Sequence, residues 1–216
     1  MAGFRTFLNA GHAPTLGAAF FYFACSCGIW VINGAMAPFI GEAFDLTPAQ
    51  KGLMLSIPIF AGALMRFPLG LLAQYIGRKN ATLVEMVGIA LAMLYGYFAV
   101  DSFNDLLAMG VLLGIAGASF GVALSLGSGS FPPRYKGLAM GLVGAGNIGT
   151  AVAALLAPPL AQALGWQTVY GLAAIGILLP MVVMIVFARE PEDRDAHASP
   201  VSYTHLRAHE TRHDIV

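Results

Sequence analysis

Six apolar runs follow one another along this chain, separated only by short polar links: Thr15–Ile40, Gly52–Ala73, Ala81–Val100, Leu106 to about Ser128, Gly137 to about Leu164, and Thr168–Ala188. Each is close to the twenty or so residues that a helix needs to cross a hydrocarbon layer. Lipid offers no partner for a bare peptide group, so segments of this length must satisfy their own backbone hydrogen bonds as helices. The predicted class is an all-α membrane protein of six transmembrane helices. Composition excludes the soluble alternative: with 58% hydrophobic and 10% charged residues, a water-soluble fold of 216 residues could not cover its own surface. The first run is too long for a signal-peptide core, and although Ala35-Met36-Ala37 imitates a cleavage site, Pro38 follows directly. Residues 1–14 read as a short polar leader, and Thr47-Pro48 as the N-cap and first-turn proline of the second helix.

The links alternate in charge. Arg5, Arg78, Lys79, Arg134, Lys136 and Arg189 fall on one side, against Lys51 with Glu42, Asp45, Asp101 and Asp105 on the other. This asymmetry predicts a multi-pass protein with its basic links and N-terminus in the cytoplasm. No basic patch interleaved with aromatics appears, so no nucleic-acid partner is expected.

Arg66 interrupts the second run far from either end. An arginine at that depth costs on the order of 3 kcal/mol on insertion scales, which predicts that it faces a water-filled cavity as a functional group. A structural arginine bonded to carbonyls of a neighbouring helix is the alternative. Gly62 and Gly70, one turn away in either direction, are expected to leave open space around the guanidinium.

In the fifth run Gly137, Gly141, Ala145, Gly149, Ala153 and Ala157 recur every four residues. Such a ladder predicts a packing face along the whole helix. Asn147 lies about 200° from Ala145, on a face shared with Gly144 and Ala151, where its amide could point at a cavity. Gly144 and Gly146 beside it would expose backbone groups to a small ligand. The alternative for Asn147 is a hydrogen bond to a neighbouring helix. The fourth run carries Gly117, Gly121, Ser125 and Gly129, with Phe120 among them, a residue whose spacing alone assigns it no role. Glu85, near the start of the third run, is expected to snorkel toward Arg78, Lys79 or the Arg134 link rather than to carry protons. Cys25 and Cys27 point to nearly opposite helical faces and predict neither a disulfide nor a metal pair.

Two segments resemble a known family. Gly70-Leu-Leu-Ala-Gln74-Tyr-Ile-Gly77-Arg78-Lys79 is similar to the signature between helices two and three of the major facilitator superfamily. Gly141-Leu-Val-Gly144-Ala-Gly146-Asn147-Ile-Gly149 resembles the nitrate signature of its nitrate/nitrite porters. With Pro38 at the end of helix one and the segment around Phe120 in helix four, the likeness covers residues from about 20 to 190. It implies one six-helix half, residues 1–190, of an alternating-access carrier of nitrate or nitrite in a bacterial-type cytoplasmic membrane, with no enzymatic activity, cofactor or metal. By position, Arg66 would grip the anion, Asn147 would lie near it, Phe120 would pack over it, and Gly70, Gln74, Gly77, Arg78 and Lys79 would form the gating motif. The family usually has aspartate where this chain has Gln74, which alters the gating contact. Gln74 itself is expected at the cytoplasmic turn and outside the cavity. The second half that would complete a midplane site is not in the sequence, which marks a fragment.

Rival readings remain. A carrier of formate or oxalate would use the same arginine, and a half-size structural subunit would work as a homodimer. Residues 191–216 read as a polar linker and then a non-native tail. Its His209-Glu-Thr-Arg-His213 matches a zinc-protease pattern, with His205 extending the spacing, but it lacks a third ligand and a surrounding fold.

Overall fold

The computed structural model of the chain describes residues 2–191, with side chains from Arg5 onward. The tail from residue 192, including His205, His209 and His213, lies outside the described residues. Among the described residues, six helical spans are long and apolar enough to cross a bilayer: span 1 (Ala13–Trp30), span 2 (Pro48–Ile76), span 3 (Arg78–Phe98), span 4 (Phe103–Gly129), span 5 (Pro133–Leu164) and span 6 (Trp166–Phe187). The all-α, six-span expectation holds.

Local chemistry sets the ends. Thr47 accepts a hydrogen bond from the backbone of Gln50 while the Gln50 side chain returns one from Thr47, a capping box that starts span 2 with Pro48 in its first turn. Spans 2 and 3 turn at Gly77 (φ 91°), and spans 5 and 6 at Gly165 (φ 87°), a left-handed conformation that L side chains resist. The first apolar run is not one helix. It breaks at Val31 and Met36 and continues as short helices Ile32–Ala35 and Ala37–Ala43; the second break falls just before Pro38, which lacks a helical donor and whose ring crowds the carbonyl four residues back. The leader is also structured: helix Ala2–Asn9 buries Phe7, whose ring stacks on Phe131 at 4.8 Å.

Spans 1 and 4 are the most buried, with 56% and 61% of their apolar windows inside, while spans 2 and 5 bury only 22% each. Small residues let the inner spans approach. A Cβ on Gly110 would lie 3.2 Å from Ile57, and one on Gly114 2.7 Å from the Ala61 carbonyl carbon, so this edge of span 4 packs backbone to backbone on span 2. Span 5 packs on span 1 in the same way: a Cβ on Gly149 would overlap the carbonyl of Ala24, and one on Gly28 would stand 2.9 Å from the Gly149 carbonyl oxygen.

The expected ladder of span 5 holds for only half its length. Gly149, Ala153 and Ala157 face span 1 or the interior, but Gly137, Gly141 and Ala145 face outward, and a Cβ on either Gly137 or Gly141 would meet nothing within 4 Å. The buried residues above the switch are instead Ala139, Val143 and Gly146. A 3₁₀ turn at Ala145–Asn147 causes the change. Three residues advancing 120° each instead of 100° add about 60° of rotation, which brings Gly149 back toward the face that carries Val143.

Candidate functional site

A cavity of about 740 Å³ lies between spans 2 and 4 and contains Arg66 in its wall. Its lining also includes Gly70, Gln74 and Tyr75 of span 2 and Phe120, Gly121 and Ser125 of span 4, with Arg78 and Glu190 toward the basic end of the bundle. Small residues open this space: a Cβ on Gly70 or Gly121 would meet nothing within 4 Å.

Arg66 is held from one edge. Its Nε–H donates to the Gly117 carbonyl at 3.4 Å, beside the interruption of span 4 at Ala118. Its Cζ lies 5.9 Å from the centroid of the Phe120 ring, a cation–π distance, and Phe120 in turn meets Phe23 of span 1 at 5.5 Å. Both readings of the arginine are therefore combined in one side chain: Nε anchors to a neighbouring carbonyl while the guanidinium borders the cavity. Among the described residues the Nη groups have no hydrogen-bond partner, which leaves the forked face of the guanidinium available to a ligand. Gly62 does not open the site as expected. The position where its Cβ would stand is 3.0 Å from Trp30 Nε1 and 3.3 Å from Gly117, so this glycine allows the indole and span 4 to close in. The same indole N–H donates to the Pro58 carbonyl at 2.9 Å and fixes span 1 to span 2.

Phe120 thus sits beside Arg66, but the span 5 residues do not. Asn147 is exposed and absent from the cavity lining, Gly144 is half-buried with Leu124 nearby, and Gly146 packs against Phe20, Phe23 and Ala24 of span 1. The helical-wheel argument for Asn147 assumed 100° per residue through the 3₁₀ turn, and Gly146 exposes no backbone to a ligand because span 1 covers it. Gln74 lines the cavity, contrary to its expected place outside. Span 2 continues in helical register to Ile76, so position 74 lies two turns from Arg66 and on the same side.

At the basic end the motif is closed by a residue that sequence reasoning missed. The Glu190 carboxylate accepts the backbone N–H groups of Arg78 and Lys79, both at 2.8 Å, at the positive N-terminus of span 3. Lys79 Nζ donates to the carbonyls of Ile185 (3.0 Å) and Ala188 (2.7 Å) at the end of span 6. The signal was available as an acidic residue just beyond the last span opposite a basic turn.

Glu85 corrects another expectation. It is 2% exposed and accepts a hydrogen bond from the Tyr22 hydroxyl of span 1, rather than reaching Arg78, Lys79 or the Arg134 link. Cys25 is a half-buried and Cys27 a buried free thiol, and the described residues hold no cluster of three or more potential metal ligands.

The family model of the Major Facilitator Superfamily matches residues 18–210. A protein named "Probable nitrate transporter NarT" from Staphylococcus carnosus (strain TM300) is 36% identical over 160 residues, covering 74% of this chain and 39% of its own length. Its namesake from Staphylococcus aureus (strain JH9) is 34% identical over 163 residues, covering 76% of this chain and 42% of its own length. The chain thus spans about two-fifths of the length of these relatives. With six apolar helical spans among the described residues and the family model matching most of its length, the chain belongs to the major facilitator superfamily.

Proposed function

We propose that this chain is the first half of a carrier that moves nitrate or nitrite across a cytoplasmic membrane by alternating access, with a second six-helix half completing the site. The carrying observation is the forked face of Arg66 at the cavity wall, anchored through Nε and flanked by Phe120. A planar oxyanion matches that fork with two parallel charge-assisted hydrogen bonds, and the ring beside it supplies an apolar wall. The names of the two relatives support the choice of anion. The apolar outer faces of spans 2 and 5, including Phe67 at 73% exposure and Leu155 at the same value, give the second half its docking surface. Gln74 with the Glu190 clamp governs access at the cytoplasmic end. The charge asymmetry of the links sets the N-terminus inside.

The test is uptake of labelled nitrate by vesicles carrying the complete transporter, with nitrite, formate and oxalate as competitors. Nitrite should compete at concentrations similar to nitrate, and oxalate should not. Equal competition by oxalate, or absence of nitrate uptake, would remove nitrate as the substrate.

A further inference from the structure

We propose that Trp30 is a positioning residue for the anion site: its indole holds in place the Gly117 carbonyl that anchors Arg66, and so aims the forked face of the guanidinium into the cavity. The proposal rests on the anion reading above and deepens it. Trp30 is absent from the cavity lining and acts through Arg66 rather than on the ligand.

Three spans meet at the indole, one helical turn from Arg66. A Cβ on Gly117 of span 4 would stand 2.5 Å from Trp30 Nε1 and 2.6 Å from its Cε2. One on Gly62 of span 2 would stand 3.0 and 3.2 Å from the same two atoms, and 3.3 Å from Gly117 Cα. The five-membered edge of the ring is thus wedged against two glycines that already touch. Its N–H donates to the Pro58 carbonyl at 2.9 Å. Pro58, Gly62 and Arg66 follow one another at four-residue spacing, so this bond seats the ring on the side of span 2 that carries the arginine.

A tryptophan at this depth is unusual. Pro58 lies ten residues, about 15 Å, from the start of span 2. Indoles favour the membrane–water interface, and one inside a bundle must find an acceptor for its N–H. A phenylalanine would cover two glycines without that requirement. The N–H is useful where the ring must stay in register with span 2.

On span 4 the wedge falls where the helix is interrupted. The α-helix ends at Gly117 and resumes at Ser119. The Ala118 N–H turns back to the Ile115 carbonyl at 3.1 Å, and the Ser119 hydroxyl donates to the Ala116 carbonyl at 2.8 Å. The next carbonyl, that of Gly117, accepts Arg66 Nε–H at 3.4 Å. A bond of that length is too weak to orient a guanidinium unless its acceptor is held by something else. The three heavy atoms nearest to the Cβ position of Gly117 all belong to the indole. Two parallel bonds to a planar anion require both Nη groups to face it, and a guanidinium that turns away from its anchor offers only one.

The experiment is a double-mutant cycle on nitrate affinity of the complete carrier in nanodiscs, by calorimetry beside thermal melts, for wild type, Trp30→Phe, Arg66→Lys and the pair. Trp30→Phe should weaken nitrate binding roughly two- to tenfold when Arg66 is present. In the Arg66→Lys background, where no fork remains to be aimed, it should change affinity by less than about twofold. Should Trp30→Phe fold poorly, Gly62→Ala serves instead: its methyl must displace the indole by a few tenths of an ångström, and its effect should depend on Arg66 in the same way. Equal weakening in both backgrounds, or unchanged affinity in a well-folded variant, overturns the positioning role and leaves the anion site standing. No nitrate binding by the wild type brings down the anion reading, and the role of Trp30 with it.

Discussion

Replacing Arg66 by lysine separates recognition of an anion from possession of a charge. Both side chains are cationic, but lysine loses the planar fork and presents a single ammonium group. In the structure the Nε edge of Arg66 is committed to the Gly117 carbonyl, so the two Nη groups are the pair that faces the cavity. An ammonium can replace one of two parallel charge-assisted bonds. Loss of the other costs about 1.5 to 3 kcal/mol, or roughly tenfold to somewhat over a hundredfold in affinity. Loss of the Nε bond adds little instability, because 3.4 Å is long for a hydrogen bond and this one is only partly buried. The assay is nitrate affinity of the complete carrier in detergent or liposomes, beside a thermal melt. A melt within a few degrees of wild type together with a ten- to hundredfold weaker affinity is the expected result. Near-normal affinity in a well-folded Arg66→Lys protein would leave the arginine as a bridge between spans 2 and 4 and refute the anion fork.

Gly149→Val should destabilise by about 1 to 3 kcal/mol or prevent folding, because the Ala24 backbone occupies the space its side chain needs, whereas Gly141→Ala should melt like wild type. Equal melting temperatures for the two would show that the packing on span 1 is loose. Glu190→Ala should free the backbone N–H groups of Arg78 and Lys79 and speed their hydrogen exchange, at a cost of about 1 kcal/mol; unchanged protection at residues 78–80 would count against the clamp. His12 caps span 1 by accepting the Thr15 N–H at Nδ1, and burial, with the nearby Arg189 second, holds its pKa below 6.5. Its folded pKa is depressed, so the cap is fully present above pH 6.5 and is lost as pH falls from there through the folded value. Amide exchange at Thr15 and Leu16 should therefore rise faster than intrinsic chemistry requires as the pH is lowered, and His12→Ala should abolish the excess.

The six spans, the N-cap at Thr47 and the place of Arg66 at a cavity were legible because each follows from hydropathy, capping chemistry or the cost of a buried charge. Phe120 beside Arg66 came from family resemblance, since a phenylalanine in an apolar helix carries no signal of its own. Asn147 was misplaced because its wheel position assumed an unbroken α-helix, and a 3₁₀ turn leaves no mark in the spacing of small residues. Gly62 was misread for a related reason: absence of a side chain allows either a cavity or a close neighbour, and the Trp30 indole, more than thirty residues away, decides which. Glu85 was assigned to the nearest basic residues in sequence, but its partner is a tyrosine 63 positions earlier. Long-range pairing of polar groups inside a bundle depends on helix rotation, which hydropathy does not encode.

The brace between Glu190 and the start of span 3 also bears on how such a chain is made. The two partners of the Arg78–Glu190 bond are separated by 112 residues, so at 5 to 20 residues per second the amides at the start of span 3 wait roughly 6 to 22 s after synthesis for their carboxylate. During that interval spans 2 and 3 are in the membrane while this end of the hairpin is uncapped. The bond can close only once span 6 has emerged, and at the same end Arg189 N–H then reaches Thr15 at the start of span 1, 174 residues back. Completion of the six-span unit is thus registered at its basic rim, where the last residues inserted tie down the first.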